Sequence, residues 1–442
     1  MTSEERDLLH RHLNGDLDAG EQAAFLARLQ SSAELRRELA SHALDETLIS
    51  ELVLEGRPVA KAPARRRAWI PASIAAAMLI GLTLLLFRGT PKIDPEPPKT
   101  PAEAARRSER PGVADAVRRG CEYLESRRID IVMPIAREKR HGTPSRRTYA
   151  ELALLALHRG GYPDSHPLKA ELLGLVNGRS VEATYVAALQ AVALAEIDPV
   201  VYHERLRTCA QLLVDSQCAN GQWDYNVKLA LPDVPATGRI RRRAEGPPAG
   251  DNSVTAYAVM GLRACVLAGV DVDPDVIARA RAWWLRCQNP DGGWGYNDAN
   301  DSLANDVSRR SYTTNSSYGS ATAGGVASLA ALREMREDDG RSDGAIRRGL
   351  EWLGANFTAD RTPGKDPGFL PVHWLAMAGR AGQILATDRF GSHDWYAEGA
   401  AFLLQAQRST GEWAVESGEF LGPEKTDVLD TCLAILFLRR KP

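Results

Sequence analysis

The sequence predicts an all-α fold, an α6/α6 toroid over residues 113–442, preceded by a small helical domain and one transmembrane helix. Three observations lead to it. From residue 113 onward two helix types alternate; three copies of a Gln-x-x-x-Gly-x-Trp pattern each fall between one predicted helix and the next; and residues 69–87 form a single uncharged apolar run. Composition agrees with a globular chain, because 44% of the 442 residues are hydrophobic and 25% are charged. A net charge of −2, with no zinc-finger or helix-turn-helix spacing, gives no case for a nucleic-acid partner.

Residues 1–57 read as short amphipathic helices, with Leu8, Leu9 and Leu13, then Phe25, Leu26 and Leu29, then Leu35 and Leu39 at helical spacing. Asp18-Ala-Gly-Glu21 and Ser31-Ser-Ala-Glu34 are capping boxes, whose side chains satisfy the orphan N–H groups of a helix start. A basic segment at 58–68 carries Arg65, Arg66 and Arg67. The run that starts at Trp69 and ends at Phe87 comes close to a ~30 Å hydrocarbon core at about 1.5 Å per residue, and predicts a membrane span. Arg65 to Arg67 outweigh Arg88 and Lys92, so the positive-inside rule predicts a cytoplasmic N-terminus and an extracytoplasmic toroid in a bacterial-type inner membrane. Residues 88–112, with Pro91, Pro95, Pro97, Pro98 and Pro101, predict an extended linker.

In the toroid, predicted outer helices carry a small residue and a bulky one three positions later: Gly120/Tyr123, Ala170/Leu173, Cys209/Leu212, Ala280/Trp283, Gly349/Trp352 and Gly399/Phe402. Predicted inner helices open on a polar turn and continue through Ala, Gly and Leu at 148–157, 184–194, 255–267, 322–332 and 431–438; a sixth at 371–381 has His373 and Trp374 in place of Thr. Small residues nearly all round a helix imply enclosure on every side. The three Gln-x-x-x-Gly-x-Trp copies are Gln217, Gly221 and Trp223; Gln288, Gly292 and Trp294; and Gln407, Gly411 and Trp413. Gly permits φ > 0 just past a helix, Trp supplies an apolar plug, and the Gln amide bonds neighbouring backbone. Each copy predicts a staple between helix pairs.

These copies resemble the QW repeats of squalene–hopene cyclases, oxidosqualene cyclases and, more weakly, protein prenyltransferase β subunits. The resemblance covers residues 113–440 and implies the toroidal fold with a cavity mouth at the inner-helix N-termini. The head, with Leu9-x-Arg-His-Leu-Asn-Gly-Asp-Leu-Asp-Ala-Gly-Glu21, resembles FecR-like and anti-sigma-factor proteins, which implies a sigma factor or another cytoplasmic protein as partner. It has His10, His12 and His42 but no cysteine, so the zinc-binding signature of that group is missing.

Candidate ligand-binding residues at the mouth are Asp251, Asn252, Tyr312, Tyr318, His373 and Trp374, with Ser253 and Ser320 beside them. Helix N-termini offer free N–H groups and partial positive charge there. Asp427-Val-Leu-Asp430-Thr431 resembles the Asp-x-Asp-Asp-Thr run of squalene–hopene cyclases, whose middle Asp protonates the polyene; Leu429 stands at that position. Asp427 and Asp430 remain weak catalytic candidates, against a simple capping role. Zinc chemistry of the prenyltransferase kind is not expected, because Asp251-Asn-Ser253 lacks the cysteine of that element. No metal and no cofactor are expected. The acidic run Asn297 to Asp306 lacks the Gly and terminal Glu of an EF-hand loop, and Arg239, Arg241, Arg242 and Arg243 read either as a solvated run or as a phosphate or acidic-glycan holder. Six scattered cysteines read as small buried hydrophobes. Two functions follow: a ligand-binding or protein-interaction module for a glycan, lipid or protein, coupled to a regulatory head; or a diverged terpenoid cyclase-like or polysaccharide-acting enzyme.

Overall fold

The computed structural model describes residues 112–132, 149–178, 181, 183–225, 234–244, 246–297, 316–336, 340–365, 370–415 and 427–440, with Glu21 and Arg28 near the N-terminus. The expected head at 1–57, apart from those two residues, the basic segment at 58–68, the span at 69–87 and all but the last residue of the linker lie outside them. Six inner helices are present among the described residues: α3 (Tyr149–Arg159), α5 (Thr184–Ile197), α7 (Asn252–Leu267), α9 (Gly319–Met335), α11 (Pro371–Ile384) and α13 (Asp427–Leu438). They alternate with six outer helices, α1 (Val113–Ser126), α4 (Pro167–Gly178), α6 (His203–Asp215), α8 (Pro274–Arg286), α10 (Arg341–Asn356) and α12 (Trp395–Ala406); the short α2 (Arg128–Val132) follows α1. Each inner helix packs on the next, and α13 packs on α3, which closes the ring.

The predicted alternation is thus present, with α7, α9 and α13 starting three or four residues earlier than the sequence suggests and the other three inner helices within one residue of it. In α7 and α9 the Thr expected to open the helix lies inside the first turns, and Asp251 and Tyr318 are the caps. One part of the expected fold class is corrected: no helix among the described residues is long and apolar enough to cross a membrane. The most apolar helix, α13, has 12 residues, or roughly 18 Å at 1.5 Å per residue, short of a ~30 Å hydrocarbon core. Its apolarity is explained by enclosure, since every residue from Asp427 to Leu438 is buried. A two-residue ribbon, β1 (Arg389–Phe390) with β2 (His393–Asp394), was not expected in an all-α chain; Gly391 at φ 57° turns the chain between them. Asp394 then caps α12 by accepting from Ala397 N at 2.8 Å.

The three QW copies make the same four hydrogen bonds. The Gln Nε2 donates to the carbonyl of the motif Gly and to the first turns of the following outer helix: Gln217 to Gly221 and Val276, Gln288 to Gly292 and Ala345, Gln407 to Gly411 and Ala116. The Trp ring is wholly buried, and its Nε1 donates to the end of the preceding outer helix, at Leu213, Trp284 and Leu403. The Trp backbone N–H donates to the Oγ1 of Thr255, Thr322 or Thr431 in the next inner helix, at 3.0–3.1 Å. One element therefore ties two outer helices and one inner helix. In the third copy the following outer helix is α1, so Gln407 and Trp413 join the last part of the ring to the first.

Small residues on the outer helices receive the rings. A Cβ on Gly120 would lie 2.7 Å from the Trp413 ring, and one on Gly349 2.7 Å from the Trp294 ring. The motif glycine is fixed by the backbone instead. Gly221 has φ 100°, and a Cβ there would meet the Arg279 carbonyl oxygen at 2.5 Å. Gly221→Ala is expected to destabilise the fold by at least about 1–2 kcal/mol through left-handed strain alone. A shift of the urea midpoint with unchanged m-value checks this; an unshifted midpoint would contradict the staple geometry.

The staples also set the mouth. The Trp223 carbonyl accepts from Asp251 N, and the Trp294 carbonyl from Tyr318 N, both at 3.1 Å. The long segments 224–250 and 295–317 each leave a staple and rejoin it at the base of the next inner helix. Residues 226–233, 245 and 298–315 of these segments lie outside the described residues.

Candidate functional site

The N-terminal ends of α7, α9 and α11 enclose a small cavity of about 20 Å³, partly open to solvent. Its apolar wall is made by Ala256, Ala321, Gly324, Leu370 and Met377. Tyr257, Tyr318 and His373 add aromatic faces, and Asn252, Ser253 and Ser320 bring polar groups. The small residues follow from the inner-helix composition: each close helix approach needs Ala or Gly, and three such helices splayed at their ends leave a gap between them.

Of the residues predicted from the sequence, Asn252, Tyr318 and His373 line this cavity. Asp251 stands behind it as the cap of α7, where its Oδ1 accepts from Val254 N at 2.9 Å and from Ser253 Oγ at 2.6 Å. Trp374 does not reach it: the ring is wholly buried beside Phe357, and Nε1 donates to the Thr358 carbonyl at 2.8 Å. Tyr312 lies outside the described residues. Asp427 and Asp430 are both buried in the first turn of α13, away from the residues that line the cavity. The Asp427 carboxylate accepts from Tyr123 OH at 2.5 Å and pairs with Arg127 Nη2 at 3.4 Å, both outside the ring. Leu429 is buried between them.

Asn252 is a cross-brace. Its Oδ1 accepts from Trp283 Nε1 at 2.7 Å and Gln222 Nε2 at 3.2 Å, and its Nδ2 donates to Gly295 O at 2.9 Å. Asp251 is the most perturbed acid at the site. Burial pushes its pKa up to about 7, against hydrogen bonds from Ser253 and the Val254 amide that favour the anion, while nearby Asp224 adds to the rise. His373 shifts the other way. Burial, then the Arg380 guanidinium, lowers it to about 4, so the imidazole is neutral at neutral pH and offers one donor and one acceptor.

A tyrosine cluster flanks the cavity that the sequence reading did not identify. The Tyr185 and Tyr257 rings lie 4.8 Å apart, Tyr257 stacks toward His373 at 6.5 Å, and the Arg380 guanidinium sits 4.8 Å over the Tyr257 ring. Tyr225 OH lies 3.3 Å from Ser253 Oγ and 3.4 Å from Tyr296 OH. The hydroxyls of Tyr185, Tyr225, Tyr296 and Ser253 thus surround the Asp251 carboxyl. Burial holds Tyr185 and Tyr296 well above the usual phenol range.

The arginine run has internal employment. Arg239 pairs with Asp271, Arg242 Nη2 donates to Gln217 O and Oε1 at 3.0 Å, and Arg243 Nη2 pairs with Asp215 at 3.3 Å. It fastens segment 239–243 to α6 and its staple. All six cysteines are free and buried, as small core residues. Among the described residues no group of three or more His, Cys, Asp or Glu is arranged to hold a metal ion.

No curated protein sequence matches the chain. Residues 249–367 match the family model of the squalene-hopene cyclase C-terminal domain. The matched segment carries α7 to α10, the second staple and two of the three cavity walls, so over these residues the chain is similar to that domain and its ring is a terpenoid cyclase-like toroid.

Proposed function

We propose that the toroid is a ligand-binding module whose site is the cavity among the N-terminal turns of α7, α9 and α11. The observation that carries this reading is the shape and lining of that cavity: an apolar body of Ala, Gly, Leu and Met with hydroxyls at one side. Small-molecule sites are concave, mostly apolar and oriented by a few polar groups. Its volume of about 20 Å³ admits a water or one small ligand group and no thirty-carbon polyene.

An enzymatic reading of the polyene-cyclising kind has less behind it. Protonating an alkene needs a strong, desolvated acid facing the substrate. Leu429 stands where the cyclase run has its acid, and Asp427 is engaged by Tyr123 and Arg127. A polysaccharide-acting site needs a polar groove with paired acids, whereas this wall is apolar. Ligand capture without turnover is the simpler use of such a cavity.

Ethanol is a suitable probe, since its size suits so small a cavity, its methyl group suits the apolar wall and its hydroxyl suits the polar groups. Full-length protein is expected to bind it saturably at one site by titration calorimetry. Gly324→Ala is expected to weaken that binding at least tenfold while preserving the fold. A Cβ on Gly324 would meet Met377 Cε at 3.3 Å and Ala256 Cβ at 3.4 Å, against two residues of the cavity lining. Equal binding by wild type and variant would overturn the reading.

A further inference from the structure

Each staple glutamine also accepts a hydrogen bond at Oε1, and in two of the staples the donor has the same place. Arg348 Nη2 donates to Gln288 Oε1, and Arg119 Nη2 to Gln407 Oε1. Each of these arginines belongs to the next outer helix round the ring, and its carbonyl closes on the motif glycine. A Cβ on Gly292 would meet Arg348 O at 2.8 Å, and one on Gly411 would meet Arg119 O at 2.5 Å. Arg279 holds that place at the first staple, where a Cβ on Gly221 would meet its carbonyl oxygen at 2.5 Å. Yet Gln217 Oε1 accepts from Arg242 Nη2 at 3.0 Å, while Arg279 Nη2 donates to the Cys218 and Ala219 carbonyls at 3.0 and 2.8 Å. The first staple takes its arginine from elsewhere, although its own bonds the two residues that follow Gln217.

Arg242 arrives on a strap, residues 234–243, which is docked on α6 mainly by polar groups. Arg207 donates to the carbonyls of Pro235, Gly238 and Thr237 at 2.9, 3.0 and 3.1 Å. Gln211 Nε2 donates to Arg241 O at 2.8 Å, and Asp215 accepts from the Arg243 amide at 2.8 Å. These three side chains recur at helical i, i+4 spacing, so they form one stripe along α6, and the strap leaves them only 4%, 2% and 3% exposed. The strap itself is exposed from Pro235 to Arg239. Ile240 is its one buried side chain, with its backbone bonded to Asp271 O and Asp273 N at 2.7 and 2.9 Å. Lifting the strap therefore exchanges protein hydrogen bonds for water and uncovers little apolar surface beyond Ile240.

We propose that residues 234–243 are a releasable latch: the strap leaves α6 while the ring stays folded, and Arg279 takes over Gln217 Oε1 as Arg242 departs. The exchange restores in the first staple the bond that Arg348 and Arg119 make in the other two. Movement stops at the base, because the Asp251 amide stays on the Trp223 carbonyl and keeps α7 in place. The latch is independent of what the cavity binds.

Hydrogen exchange by mass spectrometry, with urea unfolding, tests this on the full-length protein. In wild type, peptides covering 234–243 are expected to exchange by local opening, at least about tenfold faster than those of α6 and α8. Arg242→Ala is expected to speed strap exchange about tenfold further and to leave the urea midpoint and α8 exchange as in wild type. Arg279→Ala is expected to change little while Arg242 is present. The double variant Arg242→Ala/Arg279→Ala is expected to lower the midpoint by more than the two single changes summed, and to raise exchange in α8. Strap peptides that exchange no faster than α6 in wild type would overturn the latch, a result that needs no variant to fold. A double variant no less stable than Arg242→Ala would overturn the takeover by Arg279.

Discussion

Replacing Trp413 with alanine is expected to lower the stability of the toroid by about 3–5 kcal/mol, the range for removing a large aromatic from a packed interior. The ring is wholly buried against Gly120, and its Nε1 bond to the Leu403 carbonyl would be lost with it. Position adds to chemistry here. Gln407 and Trp413 hold α1 against α12 and α13, and so connect the two ends of the described ring. Hydrogen exchange should therefore rise in α1 and α13 together, although they are far apart in sequence. Trp413→Phe keeps much of the volume and loses the donor, so about 1–2 kcal/mol is expected. Chemical unfolding with exchange on the same samples checks both. A cost below about 1 kcal/mol for the alanine variant, or increased exchange in α13 alone, would contradict a ring-closing role.

The second large effect is a pH dependence centred on Asp251. In the unfolded chain its carboxyl ionises near 3.8, whereas in the fold burial holds it protonated up to about 7. Between those values the unfolded state gains from ionising and the folded state does not, so stability falls as pH rises through that window and is level above it. Three units at 1.36 kcal/mol each amount to about 4 kcal/mol. His373 works in the opposite direction over a similar window. It stays neutral in the fold down to about 4, so its contribution is lost as pH falls below 6.5. The wild-type profile is therefore flatter than either group alone would give. Asp251→Asn separates them: an amide oxygen still accepts from Val254 N and Ser253 Oγ but does not titrate. The variant is expected to match wild type below pH 4 and exceed it by about 4 kcal/mol at pH 8. A variant no more stable than wild type at pH 8 would show that the carboxyl is not buried as described.

The ring was legible because its repeat is local. Helix alternation, the small-then-bulky pair on each outer helix and the QW copies are all written within a few dozen residues. Even the missing Gln at Phe357 marked a real outer helix, α10. Legibility failed where a side chain's direction depends on a distant partner. Adjacent His373 and Trp374 both looked fit to line the mouth, yet neighbours on a helix point about 100° apart. Only the packing of Trp374 on Phe357 decides that His373 takes the cavity side. Asp427 looked like half of an acid pair with Asp430, but its partners are Tyr123 and Arg127, at the other end of the chain. Tyr185 and Tyr257 lie within the Ala-rich helices α5 and α7. Their place beside the cavity follows from ring geometry that no local pattern carries.

The pairing of Trp223 with Asp251 and of Trp294 with Tyr318 has a consequence for how this family of rings can change. Because each long segment starts and ends on one fixed base, doubling its length adds only about 0.6 kcal/mol of closure entropy and leaves the helices where they are. Frame and recognition surface are thereby separable: sequence can be inserted, deleted or exchanged above the mouth without renegotiating the ring beneath. A designer wishing to give this scaffold a new specificity would graft between Trp223 and Asp251 or between Trp294 and Tyr318.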